Sequence, residues 1–182
     1  MRRPVRTVLV AAATAVGLCL TGCAQSPSNA AVIDGRVITE ASVTTAADAL
    51  TNVAASLGIQ QLTASQARSY VIAWLLRGAL ADKVSQASGV TITDAAITQA
   101  AQQDQDPTTA TLLADPGLHD AMVGQMRLTM LAQKVPQEVI SRTIKDTTVT
   151  LSPRYGQWVP ESQMTVGTGF GLSAPLLSAA GS

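Results

Sequence analysis

Histidine, cysteine and aromatic side chains are scarce in this chain of 182 residues, and each scarcity removes a class of chemistry. His119, the single histidine, cannot supply the ligand set of a zinc site, and no acidic group has the spacing of a calcium loop. Both cysteines, Cys19 and Cys23, lie in or just after the first apolar run, so the rest of the chain has no thiol pair and must be held together by packing. Only Tyr70, Trp74, Tyr155, Trp158 and Phe170 are aromatic, which leaves an interior of alanine and aliphatic residues suited to closely packed helices. Basic charge is thin as well. Lys83, Lys134 and Lys145 are too scattered for a nucleic-acid face or a polybasic membrane segment.

What is present starts with Arg2, Arg3 and Arg6, followed by the uncharged run Val8 to Leu20 and by Leu20-Thr21-Gly22-Cys23. This order is that of a secretory signal, and thirteen residues are too few to cross a bilayer core of about 30 Å, which takes about 20. The segment resembles a bacterial lipoprotein signal with its lipobox. The resemblance implies that residues 1–22 are a signal peptide, cleaved after Gly22, and that Cys23 is acylated (palmitate) and holds the protein on the extracytoplasmic face of the cell membrane. The 160 residues that remain carry nine basic against twelve acidic side chains and are enough for one core.

Residues 23–30 read as a lipidated cysteine and a short polar tether. Asp34-Gly35 between Ala31-Val32-Ile33 and Arg36-Val37-Ile38 signals a two-residue hairpin. From Thr39 the apolar period becomes helical through Val43, Ala46, Ala47, Leu50, Val53, Ala54 and Leu57, and Gly58-Ile59 reads as a C-terminal cap. Thr63-Ala64-Ser65-Gln66 fits a capping box for a second helix running to about Ser88 and stopping at Gly89. Tyr70 to Leu76 carry no charge, so this helix is expected to be the central one, with Arg68, Arg77, Asp82 and Lys83 at its wet ends and edges. Thr93 caps a third. Asp106-Pro107 and Asp115-Pro116 each pair an N-cap aspartate with a proline at the first helical position, giving a short helix and one from Pro116 to about Val135. A last short helix follows Pro136, with Val139, Ile140 and Ile144 turned inward. Thr147 to Leu151 then has β character. The fold class that results is mainly α: a helical domain of five to six helices with a small β element formed by the N- and C-terminal segments. Its expected extent is 31–160, followed by a flexible tail over 161–182.

No catalytic set emerges. His119 and Asp120 are adjacent, so on a helix they point about 100° apart and neither orients the other. Gly167, Gly169 and Gly171 lack the lysine and following helix of a phosphate loop. Asp104 and Asp106 sit in a polar linker with nothing apolar to raise a pKa. The chain therefore reads as non-enzymatic, with no metal and no cofactor. Met122, Met126 and Met130 recur every four residues on the fifth helix, where methionine suits either core filling or the gripping of varied apolar partners. They, with Tyr155 and Trp158, are the candidate client-binding residues.

Ala31-Val32-Ile33-Asp34-Gly35-Arg36-Val37-Ile38-Thr39, the long central helix and Ser152-Pro153-Arg154-Tyr155-Gly156-Gln157-Trp158 together resemble the SurA-like N-terminal chaperone domain of lipoproteins related to PrsA foldases. The resemblance spans roughly 31–160. It implies a helical domain closed by a few strands that holds unfolded or newly exported polypeptides, without ATP. Such relatives often carry a parvulin-type isomerase domain, for which this chain has neither the room nor the several histidines such a site usually shows, so prolyl isomerase activity is not expected. The alternative is a non-catalytic docking module for one cell-envelope partner.

Overall fold

The structure is a computed structural model that describes residues 26–59, 62–104 and 107–160, together with the backbone of 164–166. The signal, residues 1–22, and Cys23 lie outside the described residues, as do Gly167, Gly169 and Gly171. No helix among the described residues is long and apolar enough to cross a membrane.

Strand β1 (Asn29–Ile33) turns through Asp34 and Gly35 into β2 (Arg36–Thr39). Both turn residues have positive φ, 45° and 84°, which is the type I′ geometry that matches strand twist and favours Asp-Gly. The third strand, β3 (Val149–Leu151), adds antiparallel to the other side of β1, with Val32 opposite Thr150, so the sheet order is β2-β1-β3. The two ends of the domain therefore meet, as the β character at each end suggested. Asp34 fastens this meeting point. Its N–H donates to the Thr148 carbonyl at 3.0 Å, its Oδ1 accepts from the Thr148 N–H at 2.9 Å, and its Oδ2 pairs with Lys83 Nζ at 2.8 Å. The polar stretch 23–30 needs correction: Asn29 is already in strand, Ala30 is fully buried, and the Asn29 N–H bonds back to Ser26 O at 2.9 Å. A buried backbone has to be paired, so the tether ends before these residues.

Six helices are described: α1 (Glu40–Ser56), α2 (Ala64–Ser88), α3 (Asp94–Gln103), α4 (Pro107–Ala114), α5 (His119–Lys134) and α6 (Gln137–Asp146). Thr39 caps α1 by accepting from the Ser42 N–H. At the other end the Ile59 N–H reaches Ala54 O and the Gly58 N–H reaches Ala55 O, the paired bonds of a Schellman cap around a left-handed Gly58. Thr63 and Gln66 form the capping box of α2, and left-handed Gly89 ends it. From Ala67 to Ser85 no residue of α2 is exposed, so it is the central helix. Arg77 falls inside that stretch and is not at a wet edge; its guanidinium bonds Gln125 on α5, and burial brings its pKa down to about 10.

The fifth helix starts three residues later than Pro116 suggests. Asp115 still caps, its Oδ1 accepting from the Gly117 N–H at 2.8 Å and its carbonyl from the His119 N–H at 2.9 Å. Gly117 explains the delay. A Cβ there would lie 2.8 Å from the Ala49 Cβ, so this turn is pressed against α1 and is shaped by that contact.

α5 packs most extensively on α2. Gly78 and Gly124 meet where they cross, which lets the two backbones come closer than any side chain would allow. After β3, a turn of 3₁₀ helix (Pro153–Tyr155) leads to β4 (Gln157–Val159), which pairs with β5 (Met164–Val166). The stretch 161–182 is thus not all tail: it contributes one strand, and its remainder lies outside the described residues.

Candidate functional site

The methionine stripe does not form one surface. Met122 is 0% exposed and belongs to the core, while Met126 and Met130 are half-buried and pack against its edge. The reason is geometric: a four-residue step advances 400° around a helix of 3.6 residues per turn, so each methionine is rotated about 40° from the one before. Met122 must be withdrawn as a client-binding residue. Tyr155 must be withdrawn as well, being 3% exposed. Its hydroxyl donates to Glu40 Oε2 at 2.8 Å, and Arg154 stands 3.3 Å from Glu40 Oε1. Burial first, and the bond to Glu40 second, push the Tyr155 phenol up to about 12. It latches the C-terminal segment onto the start of α1. Trp158 is half-buried against the core, and its Nε1 is buried with no hydrogen-bond partner. Cys23 lies outside the described residues.

What the fold brings together instead is a cleft of about 380 Å³ between β2 and the α2–α5 crossing. Its floor is small and apolar: Leu75, Gly78 and Ala79 from α2, Val123 and Gly124 from α5. The close glycine contact sinks this floor. One wall is Val37, which is 46% exposed; Leu57 is the other large apolar side chain exposed among the described residues. The rim is a ladder of alternating charge, with Arg36–Asp82 at 2.8 Å, Asp82–Arg127 at 3.3 Å and Arg127–Asp94 at 2.8 Å. Pairs this exposed add little stability singly, but the ladder ties the hairpin, α2, α5 and α3 into one frame around the cleft.

The backbone of β2 also faces the cleft. A two-residue turn makes Ile33 and Arg36 the hydrogen-bonded pair, so Val32 and Val37 are the non-bonded pair, and the N–H and C=O of Val37 point away from β1. No strand among the described residues lies on that side. Ser42 and His119 border the same cleft, but the Ser42 hydroxyl donates to Thr39 O at 2.8 Å and His119 Nδ1 is bonded to Leu113 O at 3.0 Å. No hydrogen bond joins Ser42 to His119 among the described residues. Nor, among the described residues, does any group of three or more His, Cys, Asp or Glu side chains stand where it could hold a metal ion.

Residue spacing did not reveal this cleft. The available signal was a glycine inside each of two otherwise regular helices, Gly78 and Gly124, since such a glycine costs about 1 kcal/mol relative to alanine and is usually retained for close packing. Compared with family models, curated proteins and solved structures, the chain matches none of them.

Proposed function

We propose that the protein is a membrane-anchored lipoprotein on the extracytoplasmic face, chaperone-like and ATP-independent, that binds extended segments of unfolded or newly exported polypeptides without prolyl isomerase activity. The observation that carries this reading is the cleft beside the free edge of β2. A client strand laid along β2 pairs with the outward N–H and C=O of Val37, a mode that tolerates many sequences because the backbone provides the bonds. Its side chains cover Val37 and the apolar floor, and the rim meets client charges of either sign. The cleft is small, so each engagement is weak and reversible, and the effect on clients comes from mass action on the unfolded state. A docking module for one envelope partner is the second reading. The fixed order Arg36, Asp82, Arg127, Asp94 favours it, since a charge pattern selects its complement.

The test adds residues 24–182 to several unrelated aggregating proteins and to a prolyl-peptide assay. Suppression of aggregation across clients, no change in the peptide rate, and loss of suppression in Val37→Pro support the chaperone-like reading. That variant removes the outward amide of an edge strand, where proline is tolerated, and trims the valine wall of the cleft; Val37→Ala, which trims the wall and keeps the amide, separates the two. Binding confined to one envelope protein supports the docking module. Attachment is tested separately: Cys23→Ala should abolish acyl labelling and normal processing, and unchanged labelling would end the anchoring reading.

A further inference from the structure

The described chain enters at an end of the molecule that carries two arginines. The Glu40 N–H donates to Ser28 O at 2.8 Å, and the Glu40 carboxylate holds both Tyr155 and Arg154. Next to Arg154 is a hollow of about 220 Å³ at the start of α2, bordered by Arg68, Ser65 and Ser69. Arg154 shares its charge with Glu40, but Arg68 forms no ion pair among the described residues. One guanidinium at this hollow, that of Arg68, is thus left without a direct ion-pair partner among the described residues, although its charge is felt at the Tyr155 phenol.

We propose that this hollow seats the phosphate of an anionic phospholipid, so that the domain rests on the bilayer with the N-terminal end of α2 toward the headgroups. The proposal rests on Cys23 being the lipid attachment point. Ser26 is three residue steps from Cys23, which is at most about 10 Å of extended chain. Ser28, Glu40 and Arg154 then follow one another through direct contacts, so the anchor brings the hollow to the membrane surface. A phosphate suits the two guanidinium groups because their planar N–H donors bind such oxygens in pairs, and the Ser65 hydroxyl adds a donor, the Ser69 hydroxyl being engaged with Ser65 O at 3.0 Å. Glu40 stands beside this place with its charge already shared: Oε2 accepts from the Tyr155 hydroxyl, while Oε1, buried without a hydrogen bond, lies 3.3 Å from Arg154. Docking in this orientation turns the α2–α5 crossing and its cleft sideways to the bilayer, within reach of a chain emerging from it.

The full-length acylated protein, reconstituted into vesicles of phosphatidylcholine with or without phosphatidylglycerol, tests this. The mature chain has no thiol besides acylated Cys23, so a fluorophore can be placed singly at Ala64→Cys or Ala87→Cys, both exposed and about 35 Å apart along α2. Energy transfer to a headgroup acceptor should be at least twofold stronger from position 64. That excess should grow with phosphatidylglycerol, and it should fall by half or more in Arg68→Gln or at high salt. Arg68 is unpaired, so its variant retains the fold, which circular dichroism verifies. Equal transfer from both positions of vesicle-bound, acylated protein, or an excess indifferent to phosphatidylglycerol and to Arg68→Gln, overturns the proposal and leaves the anchor standing. A chain shown by mass to carry no acyl group overturns the anchor and this orientation together.

Discussion

Gly78 and Gly124 face each other across the α2–α5 crossing so closely that a Cβ on Gly124 would lie 2.5 Å from the Gly78 Cα and 3.1 Å from its nitrogen. A Cβ on Gly78 would meet the Gly124 Cα at 3.2 Å. Real Cβ atoms do not approach a backbone to 2.5 Å, so Gly124→Ala must push the two helices apart. Overpacking of this kind costs roughly 1 to 3 kcal/mol, more than the ~1 kcal/mol that alanine returns in helix propensity. Urea unfolding should show a clear loss for Gly124→Ala and a change near zero for Gly78→Ala. If the two variants unfolded together at the wild-type midpoint, the crossing would not be this tight.

The Tyr155 latch gives the fold an alkaline limit. Its folded pKa is raised to about 12, so its contribution is complete below the unfolded value of about 10 and is lost as pH rises from there through about 12. Tyr155→Phe should remove that alkaline slope. At neutral pH it should cost about 1 to 3 kcal/mol, because Glu40 Oε2 loses its donor in a half-buried site. A stability–pH curve above pH 10 that is the same for both proteins would rule the latch out.

Asp34 sets the acid side. The hydrogen bond from Lys83, then the Thr148 N–H, hold its carboxyl below the usual aspartate value, so its contribution is present above about pH 4 and is lost as pH falls through the folded value. Asp34→Asn retains tolerance of positive φ and an acceptor for Thr148 while losing the ion pair, which at this exposure is worth less than about 1 kcal/mol. Asp34→Ala loses the Thr148 bond too and strains the turn, and should cost about 1 to 3 kcal/mol. Chemical denaturation at pH 7 and pH 3 should rank wild type, Asn and Ala in that order at pH 7, with wild type and Asn converging at pH 3.

The methionines separate core from surface. Met122→Gln places an amide with no partner in a fully buried site and should destabilise by roughly 2 to 5 kcal/mol. Met126→Gln, half-buried, should cost under about 1 kcal/mol. Thermal melts of the pair check this, and equal midpoints would place both side chains on the surface.

Removal of residues from Thr147 onward deletes β3 and Tyr155 together, exposing the Val32 edge of β1 and freeing Glu40. The truncated domain should melt at least 10 °C lower, or without a cooperative transition, since a lone two-stranded ribbon is marginal. A melt matching the full chain would make the terminal strand dispensable.

Most of the architecture was legible because it is written locally. The I′ turn at Asp34-Gly35 needs two adjacent residues that accept positive φ, the α2 capping box needs Thr63 and Gln66 three apart, and the glycine caps at Gly58 and Gly89 need only the residue that takes the left-handed conformation. Helical period placed α1, α2 and α6 for the same reason. Depth is another matter. Met122 and Met126 are one turn apart and chemically identical, and only the seating of α5 on α2 decides that the first is core and the second edge. Tyr155 and Glu40, Arg36 and Asp82, and Gly78 and Gly124 are pairs whose members stand far apart in the chain, and no spacing rule joins them. The sequence by itself therefore determined the hairpin, the helices and most of their ends, through backbone preferences that act within a few residues, but not the late start of α5 or the strands β4 and β5. Only the tertiary structure decided which faces are buried and that a cleft opens beside β2, because those follow from how closely α2 and α5 can approach.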